Sequence, residues 1–221
     1  MTSEQSATAH VPTRRERLRS ELTEQIIEIG RRQLEQGGVA GVNWRAIAEE
    51  IGMNPASLYT YVDGINDLYT RILGQSCRSL TDAIDGAARA HAHADPLTRL
   101  LECARAYRRW AVDRPNEFNL IFTNQIPGSD DAAADPNSDP LKAVNRPFDA
   151  AMLELLARPR DQVATVDDLS PKRRSLVAAA RSMMHGFTIL EINQHAPYPE
   201  GSEDGMLRAL SRLIRRSGHA G

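Results

Sequence analysis

Apolar residues recur at intervals of three and four along most of the chain, and no stretch alternates apolar and polar residues as a β-strand does. This period predicts an all-α protein with about nine helices. The first helix is predicted from about Arg14 to Gln36, with an inward face formed by Leu22, Ile26, Ile29 and Leu34. Gly30 in its middle costs around 1 kcal/mol relative to alanine, and the close approach of a neighbouring helix would compensate for that cost.

Two capped helices joined by a three-residue turn are predicted within residues 43 to 68. Asn43 is placed to cap the first of them. Gly52 occupies the position at which a helix often ends in the left-handed conformation, and Asn54 followed by Pro55 starts the next helix. The apolar stripe of the first helix has the spacing i, i+3, i+4 and i+7: Trp44, Ile47, Ala48 and Ile51. Together these signals predict a helix-turn-helix.

The second of these helices, over residues 54 to 62, has the features of a major-groove reader. Leu58 and Val62 face inward, whereas Ser57, Thr60 and Tyr61 share the opposite face. Hydroxyl groups can donate to or accept from base edges and phosphates, and a tyrosine ring can pack on a thymine methyl. The predicted partner is therefore double-stranded DNA. The alternative is an all-helical protein-interaction adaptor that keeps the same motif without binding DNA.

This segment resembles the DNA-binding domain of the tetracycline-repressor (TetR) family of transcriptional regulators. The resemblance is carried by Leu34 with Gly37 or Gly38, by Trp44-Arg45-Ala46-Ile47-Ala48, by Gly52, and by Pro55-Ala56-Ser57-Leu58-Tyr59-Thr60-Tyr61-Val62. It implies that Arg45, Tyr59, Thr60 and Tyr61 contact DNA, with Tyr59 mostly on phosphate. Two positions depart from the family pattern: Val62 stands where phenylalanine is common, and Ile65 stands where a lysine is common. The complete set of candidate DNA-binding residues is Trp44, Arg45, Ser57, Tyr59, Thr60 and Tyr61.

The overall charge does not indicate a nucleic-acid binder, because 27 Lys and Arg residues are balanced by 29 Asp and Glu residues. The positive charge is local instead. Arg14, Arg15, Arg17 and Arg19 form an arginine-rich arm where the first predicted helix begins. Such an arm can reach the DNA backbone or the minor groove, or it can be a solvated tail, and both interpretations remain open. Residues 1 to 13 are predicted to be disordered.

Nothing in the sequence indicates secretion or a membrane span, because no apolar run approaches the roughly 20 residues that a span needs. We therefore expect a cytoplasmic protein. Cys77 and Cys103 lie on predicted helices without a zinc-binding spacing, so buried structural thiols are expected and a redox-sensing pair is the alternative. No metal site or cofactor is predicted. An enzyme is the other function class, but the histidines and carboxylates show no catalytic motif.

The rest of the chain is predicted to be helical. Residues 14 to 66 are assigned to the helix-turn-helix domain and residues 67 to 218 to a body for effector binding and dimerisation. The Pro-, Gly- and Asp-rich segment 126 to 145 is predicted to be a long surface loop. We expect the helix after it to be capped by Asn145, with Pro147 in its first turn.

The last two predicted helices, 171 to 194 and 202 to 216, are candidates for the interface of a homodimer. The first is apolar on two sides, with one stripe of Leu176, Ala180, Met183, Phe187 and Leu190 and a second side of Val177, Met184 and Ile192. The second contributes Met206, Leu210, Leu213 and Ile214. Two copies of each helix would form a four-helix interface about a two-fold axis.

The C-terminal half also resembles a subset of the TetR family that carries His185-Gly186 on the penultimate helix. A mostly apolar effector site is expected between the helices of residues 97 to 194. The candidate lining residues are Tyr107, Trp110, Phe118, Phe122, Met184 and His185, and ordinary core packing is the alternative for each of them. Together with the DNA-reading surface, these features predict a homodimeric regulator that binds a palindromic operator and is released by a small molecule. The family resemblance implies repression.

Overall fold

The computed structural model describes residues 13–122, 140–157, 163–194 and 202–218, and within these ranges the chain is helical without a strand. The prediction of an all-α fold is confirmed, and the described residues form nine α-helices. They are α1 (Arg14–Gly37), α2 (Trp44–Ile51), α3 (Pro55–Leu58), α4 (Ile65–Ala90), α5 (Pro96–Asp113), α6 (Pro115–Phe122), α7 (Pro140–Leu156), α8 (Pro171–Ile192) and α9 (Ser202–Gly218). The chain divides into two compact units, Met1–Ile72 and Leu73–Gly221, and the division falls within α4.

The N-terminal unit is built on a fully buried apolar core to which every one of its helices contributes: Ile26, Leu34, Ile47, Leu58 and Leu68. Gly30 allows α1 and α4 to approach closely, since a Cβ atom there would lie 2.9 Å from Cδ2 of Leu68. The predicted close approach at this glycine is therefore confirmed.

The start of α1 corrects the prediction of an arginine-rich arm. Thr13 is the N-cap, its side chain accepts a hydrogen bond from the amide of Glu16, and the Glu16 carboxylate accepts one from the amide of Thr13. This reciprocal cap starts the helix at Arg14, so the four arginines lie in its first two turns rather than in an extended arm. Disorder was predicted for residues 1 to 13. It is wrong for Thr13, which is the N-cap of α1, and residues 1 to 12 lie outside the described residues.

The caps of the helix-turn-helix are as predicted. The side chain of Asn43 accepts from the amides of Arg45 and Ala46, and that of Asn54 accepts from the amide of Ala56. Gly52 ends α2 in the left-handed region at φ 74°. The helix predicted over residues 54 to 62, however, is shorter than expected. Helix α3 ends at Leu58, and residues 59 to 62 form hydrogen-bonded turns. Gly64, at φ 111°, then redirects the chain into α4.

The C-terminal unit is organised around α5, which contacts α6, α7, α8 and α9. The side chain of Asp95 caps α5 by accepting from the amides of Leu97 and Thr98. Helix α5 ends before Arg114, and Pro115 opens α6. Within the described residues, no helix is both long enough and apolar enough to cross a membrane.

Helix α7 begins earlier than the sequence predicts. It starts at Pro140, so Asn145 is inside the helix rather than its cap, and the predicted loop is wrong for residues 140 to 145. Pro147 is buried within the helix, where it cannot donate the usual backbone hydrogen bond. The burial of its neighbours Val144 and Phe148 compensates for that lost bond, so the helix continues past the proline. The remainder of the predicted loop, residues 126 to 139, lies outside the described residues.

Helices α8 and α9 distribute their apolar residues differently from the prediction. Met206, Leu210 and Ile214 of α9 are buried in the core of their own unit. Their apolar surface is thus already covered by the chain itself, and they are not the exposed interface residues that the stripe predicted. On α8, by contrast, Leu190 is 44% exposed, and Met183 and Phe187 are half-buried.

Candidate DNA-reading surface and effector cluster

The residues predicted to contact DNA, which we call the reading residues, lie on the outside of the N-terminal unit. Tyr59 is 58% exposed, whereas Leu58 beside it is fully buried. Thr60 and Arg45 are also exposed, and Ser57 and Tyr61 are half-buried. The buried side chains anchor this segment to the core and leave Tyr59 and Thr60 exposed to solvent, where they are available to a groove or to phosphates.

Trp44 contacts the segment that contains most of the other candidate DNA-binding residues. Its indole nitrogen donates to the carbonyl of Pro55 at 3.3 Å, and its ring lies 5.3 Å from that of Tyr59 at an angle of 49°. The tilted ring pair restricts where Tyr59 can point. Half-buried Trp44 thus joins the start of α2 to both ends of α3, which makes it a support for the surface.

The four N-terminal arginines differ in what they contact. All four are exposed on α1, and Arg19 donates from Nη2 to the backbone carbonyl of Thr60 at 2.9 Å. Sequence analysis did not predict this contact, because its acceptor is a backbone atom 41 residues away and leaves no side-chain pattern. Ile65, which replaces the common lysine of the family, is half-buried at the start of α4.

Four of the six predicted effector residues form one aromatic cluster between α5, α6 and α8. The Tyr107 ring meets that of Phe118 edge-on at 5.5 Å, and Phe118 lies 4.7 Å from Phe122. His185 stacks on Phe118 at 5.6 Å and lies 4.6 Å from Phe122. Met184, the residue before His185, is buried in the same core.

One polar contact lies inside this aromatic cluster, between Tyr107 Oη and His185 Nδ1 at 2.9 Å. Burial lowers the pKa of His185 and raises the pKa of Tyr107. Both side chains are therefore uncharged near neutral pH, and one of them donates the single hydrogen bond between them.

Trp110, the remaining candidate, does not join the cluster. Its indole nitrogen donates to Ser79 Oγ at 3.0 Å, and the Arg114 guanidinium lies 5.7 Å from its ring centre. It borders an open groove of about 420 Å³ between α4 and α5. The small side chains of Ala83 and Ala87 leave this groove open on the α4 side.

The structure contains an ion-pair network that sequence analysis missed. Arg108 of α5 forms a bidentate ion pair with Glu191 of α8 and also donates to Glu203 of α9, at 2.7 Å. Arg105 donates to the same Glu203 at 2.6 Å. The network joins three helices of the C-terminal unit. No local spacing predicts it, because its partners are 83 to 98 residues apart.

A second missed feature is a buried polar pair between α4 and α6. Ser76, which is 1% exposed, donates to the carboxylate of Glu117, which is 4% exposed. The hydrogen bond from Ser76 satisfies part of the hydrogen-bonding capacity of this buried carboxylate.

Neither cysteine is in a setting that indicates metal binding. Cys77 and Cys103 are buried thiols that form no disulfide, and burial raises the pKa of the Cys103 thiol to about 11. Among the described residues, no three His, Cys, Asp or Glu side chains lie close enough together to hold a metal ion.

Curated relatives of this chain are named HTH-type transcriptional regulators. Rv1816 of Mycobacterium tuberculosis and Mb1846 of Mycobacterium bovis are each 37% identical to this chain over 122 residues. These matches cover 55% of this chain and 51% of each relative, so the chain spans about half the length of the curated relatives it matches.

Solved structures share the fold over most of the chain. SCO4313, described as a regulatory protein, has a TM-score of 0.67 and 25% identity over 91% of this chain and 98% of its own. A protein of unknown function from Rhodococcus sp. RHA1 has a TM-score of 0.64 and 19% identity, over 96% of this chain and 98% of its own. PfmR, a TetR family transcriptional regulator from Thermus thermophilus, has a TM-score of 0.54 and 15% identity, over 88% of this chain and 97% of its own. The last two similarities show the fold alone.

Family models match both parts of the chain. Residues 26–72 match the model described as bacterial regulatory proteins, tetR family. Residues 100–214 match the model described as tetracyclin repressor-like, C-terminal domain, and this match alone covers more than half of the chain. The chain therefore belongs to the TetR family of bacterial regulatory proteins.

Proposed function

We propose that this chain is a homodimeric, ligand-responsive transcriptional regulator. It binds a near-palindromic operator through the segment of residues 54 to 62 and acts as a repressor. A small molecule bound in the C-terminal unit releases it from DNA. The assignment to the His185-Gly186 subset is part of this proposal, and the place of His185 in the aromatic cluster supports it.

One observation carries the DNA-binding part of the proposal. Adjacent residues of the reading segment divide sharply between the core and solvent, with Leu58 and Val62 buried and Tyr59 more than half exposed. A segment that only stabilised the fold would not need exposed tyrosine and threonine side chains between its two anchors. Hydroxyl and aromatic groups on an exposed turn between two buried anchors suit contact with phosphates and base edges.

Dimerisation follows from the small size of the reading segment. A few side chains on one turn cannot supply the affinity of a specific regulator, whereas two copies about one helical turn apart can. The partly exposed apolar face of α8, formed by Met183, Phe187 and Leu190, is the surface we assign to the second copy. The charged remainder of α9 would then lie at the edge of that contact.

The aromatic cluster is the proposed site of ligand control. An apolar molecule that enters between α5, α6 and α8 would separate the rings of Phe118 and Phe122 and compete for the hydrogen bond between Tyr107 and His185. A ligand that binds one state of the dimer better shifts the population toward that state. A coupling of about 1 to 3 kcal/mol changes DNA occupancy roughly 5- to 150-fold.

The test is a mobility-shift titration with the DNA that flanks the chain's own gene. We expect retardation that weakens as salt is raised and that is lost in Tyr61→Ala and in Tyr59→Ala. Val112→Ala is the matched control, because it truncates an exposed apolar side chain of α5 outside the reading surface. Absence of retardation, or retardation unchanged by both tyrosine variants, would favour the adaptor alternative.

A further inference from the structure

We propose that Arg19 is a positioning residue of the reading surface: it fixes the Tyr59–Thr60–Tyr61 turn from α1 and thereby contributes to the choice of DNA sequence. This inference rests on the proposed DNA-binding function. It assigns Arg19 a role different from the non-specific phosphate contact that its charge alone would indicate.

The reading residues need such support because they lie beyond the end of a very short helix. Helix α3 has 4 residues and ends at Leu58. After it, the amides of Tyr61 and Val62 both donate to the carbonyl of Leu58, at 2.9 and 3.0 Å, and the amide of Thr60 donates to Ser57 at 3.2 Å. Single turns of this kind hold their shape weakly without contacts from the rest of the fold.

Arg19 supplies a contact at the centre of that turn. The carbonyl of Thr60 lies between the two tyrosines in sequence, and it accepts from Nη2 of Arg19 at 2.9 Å. A hydrogen bond from a charged donor is stronger than one between neutral groups. It fixes the orientation of the peptide group, and therefore the directions in which the neighbouring side chains leave the backbone.

The donor itself is held by a rigid element. Arg19 lies in α1, which has 24 residues and is capped by Thr13 at its start. Further along, the same helix is anchored by fully buried Ile26 and by the close approach of Gly30 to Leu68. The bond therefore links the turn after α3 to a long, capped helix of the N-terminal unit.

The positioning role and a simple phosphate contact predict different losses. A phosphate contact adds affinity to every DNA sequence equally. Its loss therefore lowers the affinities for specific and non-specific DNA by the same factor and reduces their salt dependence. A positioning contact changes the geometry of base-reading groups, so its loss lowers specific binding selectively.

The first experiment needs no DNA. Hydrogen exchange is measured by NMR in the full-length free protein, for the wild type, for Arg19→Ala and for the control Arg17→Ala. Arg17 lies exposed on the same helix and carries the same charge. We expect the amides of Tyr61 and Val62 to exchange at least about fivefold faster in Arg19→Ala only, with the amide of Ile26 unchanged. Equal exchange in all three proteins would overturn the inference while leaving the proposed function untouched.

In the wild type, the guanidinium protons of Arg19 should exchange more slowly than those of Arg17. This measurement requires no variant to fold, and equal rates for the two arginines would count against the contact.

The second experiment compares affinities for the duplex that flanks the gene and for a scrambled duplex of the same composition, over a salt series. We expect Arg19→Ala to lower the ratio of the two affinities about tenfold, which is about 1.4 kcal/mol. Arg17→Ala should leave this ratio unchanged. An equal loss on both duplexes would make Arg19 a phosphate contact and overturn the positioning role. If the wild type binds neither duplex, the proposed function fails, and the role in sequence choice fails with it.

Discussion

The hydroxyl oxygen of Tyr107 lies 2.9 Å from Nδ1 of His185, and this contact joins α5 to α8 inside a cluster of aromatic rings. It is the polar centre of otherwise apolar surroundings, since Phe118 and Phe122 both lie against the imidazole. The pair therefore links the stability of the C-terminal unit to pH and, in our proposal, to the presence of a ligand.

The pH dependence follows from the direction of one pKa shift. Burial lowers the pKa of His185 below its ordinary value of 6.5, so the unfolded chain takes up a proton there before the folded chain does. The contribution of His185 to the free energy of unfolding is therefore fully present above about pH 7. It is lost as the pH falls below the pKa that His185 has in the unfolded chain. Urea unfolding at pH 7 and at pH 5 measures it.

His185→Gln should make the stability fall less between these two pH values. His93→Gln, at an exposed position of the C-terminal unit, is the control and should keep the wild-type pH dependence. If the histidine at 185 were protonated in the folded state, its replacement would instead steepen the fall or leave it unchanged.

Gly30 and Gly86 provide a matched pair of stability predictions. In Gly30→Ala the new Cβ would lie 2.9 Å from Cδ2 of the fully buried Leu68. Overpacking costs about 1 to 3 kcal/mol and outweighs the gain of about 1 kcal/mol in helix propensity, so we expect a net loss of about 1 kcal/mol. In Gly86→Ala the new Cβ meets nothing within 4 Å, and the same gain should appear as stabilisation. Thermal unfolding of both variants measures the difference, and a stabilised Gly30→Ala would contradict the packing described here.

The glycine pair also shows what sequence could predict. The caps at Asn43 and Asn54 and the end of α2 at Gly52 depend on residues a few positions apart, and all are found. The close approach at Gly30 was predicted from a glycine inside a helix, but its partner Leu68 was not. Periodicity likewise predicted most of the buried stripes, because the same spacing determines both the helix and its inward face.

The features that sequence did not predict depend on distant partners. The early start of α7 places Pro147 inside a helix, against its local preference, because burial of the flanking residues outweighs that preference. The bond from Arg19 to Thr60 and the network around Arg108 join residues far apart in the chain. Whether an apolar residue of α9 faces its own core or a partner also depends on packing that periodicity alone does not specify.

The Arg108 network should contribute measurably to stability. Arg108→Ala leaves the carboxylates of Glu191 and Glu203 without their shared guanidinium, and each of these side chains is less than a quarter exposed. Breaking such a partly buried network costs about 1 to 3 kcal/mol. Arg109→Ala, at the next position of α5 but exposed, should cost less than about 0.5 kcal/mol. Urea unfolding at neutral pH compares the two, and equal losses would show that the network contributes nothing beyond a surface charge.

The cysteines should be chemically inert in the folded protein. Both are buried, and burial raises the pKa of Cys103 to about 11, so little thiolate is present at pH 8. We expect a thiol-reactive dye to label neither cysteine until the protein is unfolded in urea, after which both react. Rapid labelling of the native protein, or a disulfide formed under mild oxidation, would instead support the redox-sensing pair.

The most direct test of the proposed function is a footprint of the protein on the DNA that flanks its gene, combined with the mass of the complex. We expect two protected major-groove segments about one helical turn apart, related by a dyad, with two copies of the chain bound. Both segments should lose protection in Tyr59→Ala and Tyr61→Ala. A single protected segment under one copy of the chain, or protection that the tyrosine variants leave intact, would contradict the proposed function.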